Sequence, residues 1–173
     1  TRRRTIPPGR TLSKPKSRQR IFSMLTFPGL KPGDVFTWNN YPFNAAAQNV
    51  KKRWIILLGY FVVDETVFVV TTTTRFEHYG KGKPREHHVY FDFPADTGGL
   101  AQNSIIDFSQ DFQSDIPLSA FRECQSDITK TGTLNQDNIN RLLNFLEKTP
   151  TIVKIVKRRI YECLKASGYK VSK

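Results

Sequence analysis

Cysteine is nearly absent: Cys124 and Cys163 are the only two among 173 residues. Two thiols make no disulfide framework, and the composition points to a reducing, cytoplasmic setting. Long apolar runs are missing as well. The longest, Trp54 to Val63, has ten residues, against the roughly 18 required of a membrane-crossing helix. That argues against a helical membrane protein. Histidine is scarce, with three residues. His87 and His88 are neighbours, and on an extended strand their rings point to opposite faces. No zinc-type spacing joins them to a cysteine, so neither a metal nor a cofactor is expected. No Gly-x-Ser-x-Gly turn is present, which leaves a hydrolase of that type without support.

Acidic side chains are missing from one stretch altogether. Residues 1–24 carry eight Lys or Arg and no Asp or Glu, with Pro7, Pro8, Gly9 and Pro15 among them. This composition reads as a disordered basic arm, and its prolines oppose the amphipathic helix of a transit peptide. At the other end, residues 147–173 hold eight basic and two acidic groups. The body between is close to neutral, although the whole chain has a net charge of +12. Cationic blocks attract phosphate polymers, and each neutralised phosphate releases counterions. Nucleic acid is therefore the expected partner, with solubilising tails as the plainer alternative.

The body is rich in strand signals. Asp34 to Trp38, Arg53 to Phe61 and Thr66 to Thr74 favour β-branched and aromatic residues, and Val62 to Glu65 between the last two suits a hairpin. His88 to Phe93 alternates, with Val89, Phe91 and Phe93 on the covered side, and Ser104 to Phe108 adds a further short strand. Short strands joined by loops predict a small antiparallel barrel. Two helices then close the chain. Ile139, Leu142, Leu143 and Leu146 form one apolar stripe, with Asn135 as its N-cap. In the second helix Thr149 is the expected cap, Pro150 the first helical residue and Gly168 the stop. Its apolar face is Ile152, Val153, Val156, Ile160, Cys163 and Leu164; Lys154, Lys157, Arg158 and Lys165 take the other. The expected organisation is an arm over 1–24, a barrel with its helix over 25–148, and an additional basic helix over 149–173.

Two features carry candidate chemistry. Lys51-Lys52-Arg53 lies where a loop enters a strand, and a guanidinium fixed there can hold a phosphate bidentately while charge builds on it. Thr71 to Thr74, followed by Arg75, ends the next strand, so hydroxyls emerge beside Arg53 if the two strands pair. The same residues also fit an exposed strand edge and an ordinary surface cation. Gly80-Lys81-Gly82-Lys83-Pro84-Arg85 has the materials of a phosphate-binding loop without the spacing or following helix of a nucleotide site.

The order of these segments resembles the MazF/PemK/Kid toxins, sequence-specific messenger-RNA endoribonucleases. Gly33-Asp34-Val35 opens a strand as in that family, and Arg53 begins a hydrophobic strand after a long loop. Val69 to Thr74 then ends in threonines, His88-Val89 follows, and Gly99-Leu100-Ala101-Gln102-Asn103-Ser104-Ile105-Ile106 is similar to the family's Gly-Leu-x-x-x-Ser motif. Gly132-Thr133-Leu134 leads into the amphipathic helix. The likeness runs from residue ~31 to ~148 in the order the family has. The chain departs from it around Arg53, where the family has a nearby preceding Gly and a following Pro; here Val50-Lys51-Lys52 and Trp54 stand.

The resemblance implies an α+β fold with an SH3-like barrel, a homodimer, and single-stranded RNA cut without metal by attack of the ribose 2′-oxygen. A protein antitoxin is implied as partner. Arg53 matches the family's catalytic Arg, and Thr72 or Thr73 its Thr or Ser. His78, His87, His88 and Glu77 are candidates for the proton transfers. Lys51, Lys52, Lys81, Lys83 and Arg75 are candidates for RNA contact, and Trp38, Trp54 or Tyr79 for base stacking. Two other readings stand beside this one: a barrel that binds nucleic acid through its basic ends without cutting it, and a protein-interaction module.

Overall fold

The computed structural model of the protein describes residues 29–43 and 51–171; the basic arm expected over 1–24 lies outside them. The β-branched and aromatic segments form strands β1 (Asp34–Tyr41), β2 (Lys51–Phe61) and β3 (Thr66–Thr73). β2 and β3 make the expected hairpin, turning through residues 62–65. β4 (Tyr90–Phe93) and β5 (Ser104–Asp107) follow. Three elements depart from the sequence expectation: β6 (Phe112–Pro117), the short helix α1 (Leu118–Glu123) and β7 (Ile128–Thr133). β6 and β7 are polar, each pair with one strand among the described residues and leave several side chains exposed, so neither shows the apolar alternation of a central strand. α1 is too short for helical periodicity.

All pairings are antiparallel, in the order β4-β5-β3-β2-β1-β7. The outer edge of β3 is divided between two partners. Its first half pairs with β6, from Thr66 to Val70, and its end pairs with β5, through Thr72 and Thr73. The sheet therefore forks at Thr71, whose N–H donates to the carbonyl of Asp111 at 3.1 Å. Among the described residues β4 and β7 do not pair, so the sheet is open. The fold is mainly antiparallel β with C-terminal helices. A 3-10 turn, Thr97–Gly99, packs against β7 where the sheet stays open. Here glycine is required: a Cβ on Gly132 would stand 2.3 Å from the Gly98 carbonyl oxygen, and one on Gly99 (φ +89°) 2.4 Å from that of Thr131.

Both faces of the central strands are buried. One, with Val35, Ile56, Leu58, Phe68 and Val70, packs on the helices α2 (Gln136–Lys148) and α3 (Lys154–Ala166). The other, with Phe36, Trp38, Ile55, Leu57, Val67 and Val69, is closed by Leu118 and Phe121 of α1. α2 begins as expected, with Asn135 Oδ1 accepting from Asn138 N at 2.9 Å. α3 begins later than expected. Its N-cap is Val153, not Thr149, and Pro150 lies before it; Thr149 is instead the C-cap of α2, and its hydroxyl donates to the Phe145 carbonyl at 2.9 Å. Gly168 does end α3: its N–H bonds the Lys165 carbonyl and that of Tyr169 bonds Leu164, closing a Schellman motif. Ile152, Ile160, Cys163 and Leu164 are buried as expected, whereas Val153 is exposed. Lys157 leaves the basic face and is buried, donating to the Glu147 carbonyl at 2.8 Å, which satisfies a carbonyl at the end of α2.

Candidate active site

Strand alternation decides which candidates meet. Ile55 pairs with Thr71, and both lie on the face that carries Leu57 and Val69. Two residues further along each strand, Arg53 and Thr73 lie on that same face. Thr72 lies on the opposite face, paired with Ile106 of β5 and buried. Of the two threonines matched to the family, Thr73 is thus the one on the Arg53 side, and Thr71, which the resemblance did not select, is the other. Asp107, one residue beyond Ile106, also faces the Arg53 side and is fully buried at the end of an apolar strand.

Around these strand ends a polar cluster assembles. Asp107 is its anchor. One carboxylate oxygen accepts from the N–H groups of Ser109 (2.9 Å) and Gln110 (3.1 Å) and thereby shapes the turn after β5. The other accepts from the Tyr79 hydroxyl at 2.9 Å, lies 2.8 Å from His88 Nδ1 and is 3.7 Å from the Arg85 guanidinium. Arg85 in turn donates to the Tyr79 hydroxyl and stacks over its ring at 5.3 Å. Burial pushes the Tyr79 phenol up, so it stays protonated and donates.

The turn that Asp107 shapes carries Asp111 to the fork in the sheet. Asp111 Oδ2 is shielded from solvent and has no hydrogen-bond partner among the described residues. Burial pushes its carboxyl up to about 6, with the charge of Asp107 adding to the effect and those of Arg85, Arg53 and His88 opposing it. Arg53, half-buried, forms no hydrogen bond or ion pair among the described residues, and its charge reaches both Asp111 and Tyr41. Tyr41 donates to Gln113 Oε1, and Gln113 Nε2 donates to the Phe43 carbonyl at 3.0 Å, which walls this side of the cluster. The arrangement presents a guanidinium with no partner among the described residues, two hydroxyls and a carboxyl that burial lifts to about 6. Those are the parts needed to hold a phosphate and move a proton beside it.

The remaining candidates are dispersed. His87 and His88 are not on a strand, because β4 starts at Tyr90; both sit in the β3–β4 loop, with His87 exposed and His88 drawn inward by Asp107. His78 and Glu77 form a 3.5 Å pair on a 3-10 turn of the same loop. Lys51, Lys52, Arg75, Lys81 and Lys83 are exposed around the cluster's two loops and the start of β2. Trp38 is fully buried and Tyr79 nearly so, which removes both as base-stacking platforms; Trp54 is half-buried against the helix-side core. The residues missed by sequence reasoning are Asp107 and Asp111. Their signal is a pair of acids set among Ile105, Ile106, Phe108 and Phe112, where a buried carboxyl has to find donors or stay costly.

Among the described residues no group of three or more His, Cys, Asp or Glu side chains is placed to hold a metal ion, and no helix is long and apolar enough to cross a membrane. Neither protein-family models nor curated proteins yield a match to this chain.

Proposed function

We propose that the protein is an endoribonuclease that cuts single-stranded RNA without metal, by attack of a ribose 2′-oxygen on the adjacent phosphate. The observation that carries this reading is that the Arg53 guanidinium, without a hydrogen bond or ion pair among the described residues, acts on the Asp111 carboxyl, whose Oδ2 has no hydrogen-bond partner among them, at the fork of the sheet, on the face that holds Thr71 and Thr73. Arg53 binds the non-bridging phosphate oxygens and offsets the charge that builds there as the phosphorus becomes five-coordinate. Thr73 orients the scissile phosphate. Asp111, its carboxyl lifted to about 6 by burial, takes the 2′-hydroxyl proton. The products are a 2′,3′-cyclic phosphate and a free 5′-hydroxyl.

The exposed cations Lys51, Lys52, Arg75, Lys81 and Lys83 lead the RNA backbone to this point. The ordered resemblance to the MazF/PemK/Kid toxins supports the same chemistry, and with it an SH3-like barrel, a homodimer, and a protein antitoxin whose acidic or apolar segment fills the RNA groove. The test is incubation of a long RNA with the purified protein in EDTA, followed by mapping of the cut ends. Discrete cuts ending in cyclic phosphate, abolished by Arg53→Ala, are the expected result. Binding of RNA without any cutting would replace this reading with that of a non-catalytic nucleic-acid-binding protein.

A further inference from the structure

Proton delivery to the leaving oxygen is the step for which Arg53, Thr73 and Asp111 supply no group, and His88 has the surroundings for it. We infer that His88, held through Nδ1 by Asp107, delivers from Nε2 the proton taken up by the 5′-oxygen as the RNA chain separates; this rests on the nuclease reading above.

Three observations converge. The first is a tautomer. Asp107 Oδ1 receives the N–H groups of Ser109 and Gln110, and Oδ2 receives the Tyr79 hydroxyl, whose own oxygen is already the acceptor for Arg85. A carboxylate surrounded by donors has no proton to offer, so the 2.8 Å contact must have His88 Nδ1–H donating to Asp107. Nε2 is then the atom left for chemistry, and it has no partner among the described residues. The second is access: the His88 side chain is 29% exposed, whereas Asp107 is wholly buried. The third is placement: Asp107, which holds His88, also accepts at its backbone carbonyl from the Asp111 N–H at 2.7 Å, so one turn carries both the anchor of His88 and the group that takes the first proton. His78 and His87 lack a comparable anchor, one pairing with exposed Glu77 and the other standing in solvent.

The step balances as follows. The 2′-oxygen bonds to phosphorus as its proton passes to Asp111. The bond from phosphorus to the 5′-oxygen breaks with its electron pair on oxygen, which takes the proton from Nε2 of the imidazolium. His88 leaves the cycle neutral, with Nδ1–H still bound to Asp107, and water restores both groups. Asp107 is a positioning residue here, because it acts only through His88.

The test uses the full-length protein and two RNA oligonucleotides spanning a mapped cut site, one natural and one with sulfur in place of the bridging 5′-oxygen. A thiolate leaves without being protonated, so a missing proton donor matters only for the oxygen substrate. His88→Ala is expected to slow cleavage of the natural RNA by about 10²-fold or more and that of the sulfur substrate by about fivefold at most. Equal losses on both substrates would overturn the assignment. Failure of the unaltered protein to cut either RNA would instead overturn the nuclease reading itself. Asp107→Asn is expected to reproduce the selective loss in milder form. As that buried change endangers folding, ¹⁵N NMR of the unaltered protein gives an independent readout. The neutral His88 ring should carry its proton on Nδ1, and a proton on Nε2 would refute the proposal.

Discussion

At the scale of single residues, the cluster divides its labour between a satisfied anion and an unsatisfied one. Asp107 receives four donors and is structural in its immediate effects. Asp111 lies one turn away with a shielded oxygen, Oδ2, that has no hydrogen-bond partner among the described residues, an arrangement that costs stability. Its carboxyl titrates near 6 in the fold and near 3.9 in the unfolded chain. Between those values the folded state binds more protons at this group, so its contribution to stability falls as pH rises from about 4 to about 6 and is level above. Asp111→Asn should remove that decline, raising stability at pH 7 by on the order of 2 kcal/mol, while cleavage drops steeply. Urea unfolding of both proteins at pH 4.5 and pH 7 measures the first effect, and RNA cleavage at pH 7 the second. Arg53 makes the opposite test. With no partner among the described residues to lose, Arg53→Ala should leave the melting temperature within about 2 °C yet cut the cleavage rate by about 10²–10³-fold.

At the scale of elements, the site exists because β3 has two neighbours on one edge. β6 holds its first half and β5 its end, and the turn between them delivers Asp111 to the fork. The strands themselves were legible: β-branched and aromatic residues in β1, β2 and β3 leave little choice of conformation. The fork was not. Phe112–Pro117 contains Gln113, Ser114 and Asp115 and ends in proline, so its strand character comes from pairing with β3 and not from its own pattern. The close contact between the Thr97–Gly99 turn and β7 is a second tertiary feature. Gly132→Ala should destabilise by about 2–4 kcal/mol, because backbone and not a flexible side chain lies 2.3 Å from the added carbon. Thermal unfolding is the measurement, and Asn135→Ala, which removes only the cap of α2, is a suitable milder control at about 1 kcal/mol.

For the molecule as a whole, the near-neutral body and cationic ends are less informative than where the body's own cations lie. Lys81 and Lys83 stand exposed on the loop that also supplies Arg85 and His88. Their joint replacement by alanine should weaken RNA binding and lower the slope of log affinity against log salt by about 1.4, close to 0.7 per lost contact. Folding should be unaffected. Fluorescence anisotropy with a labelled RNA over a series of salt concentrations reads both affinity and slope. The last helix packs into the common core: Ile160 and Leu164 join Ile56, Leu58 and Leu142. Leu164→Ala should accordingly cost about 3 kcal/mol, as much as a substitution in the middle of the sheet.

What the sequence determined by itself was local. Runs of β-branched residues dictated the central strands, the Ile139–Leu146 stripe and the Asn135 cap dictated a helix, and the position of Arg53 at the head of an apolar strand marked a charge held by fixed backbone. Tertiary structure decided which groups share a face and which are partnered. Register put Thr71 and Thr73, not Thr72, on the side of Arg53, and the fork brought in Asp111. Asp107 drew His88 inward from a loop, where sequence alternation had placed it on a strand. The physical reason is that strand alternation is fixed within a strand, whereas pairing, burial and the pKa of a carboxyl depend on neighbours distant in sequence.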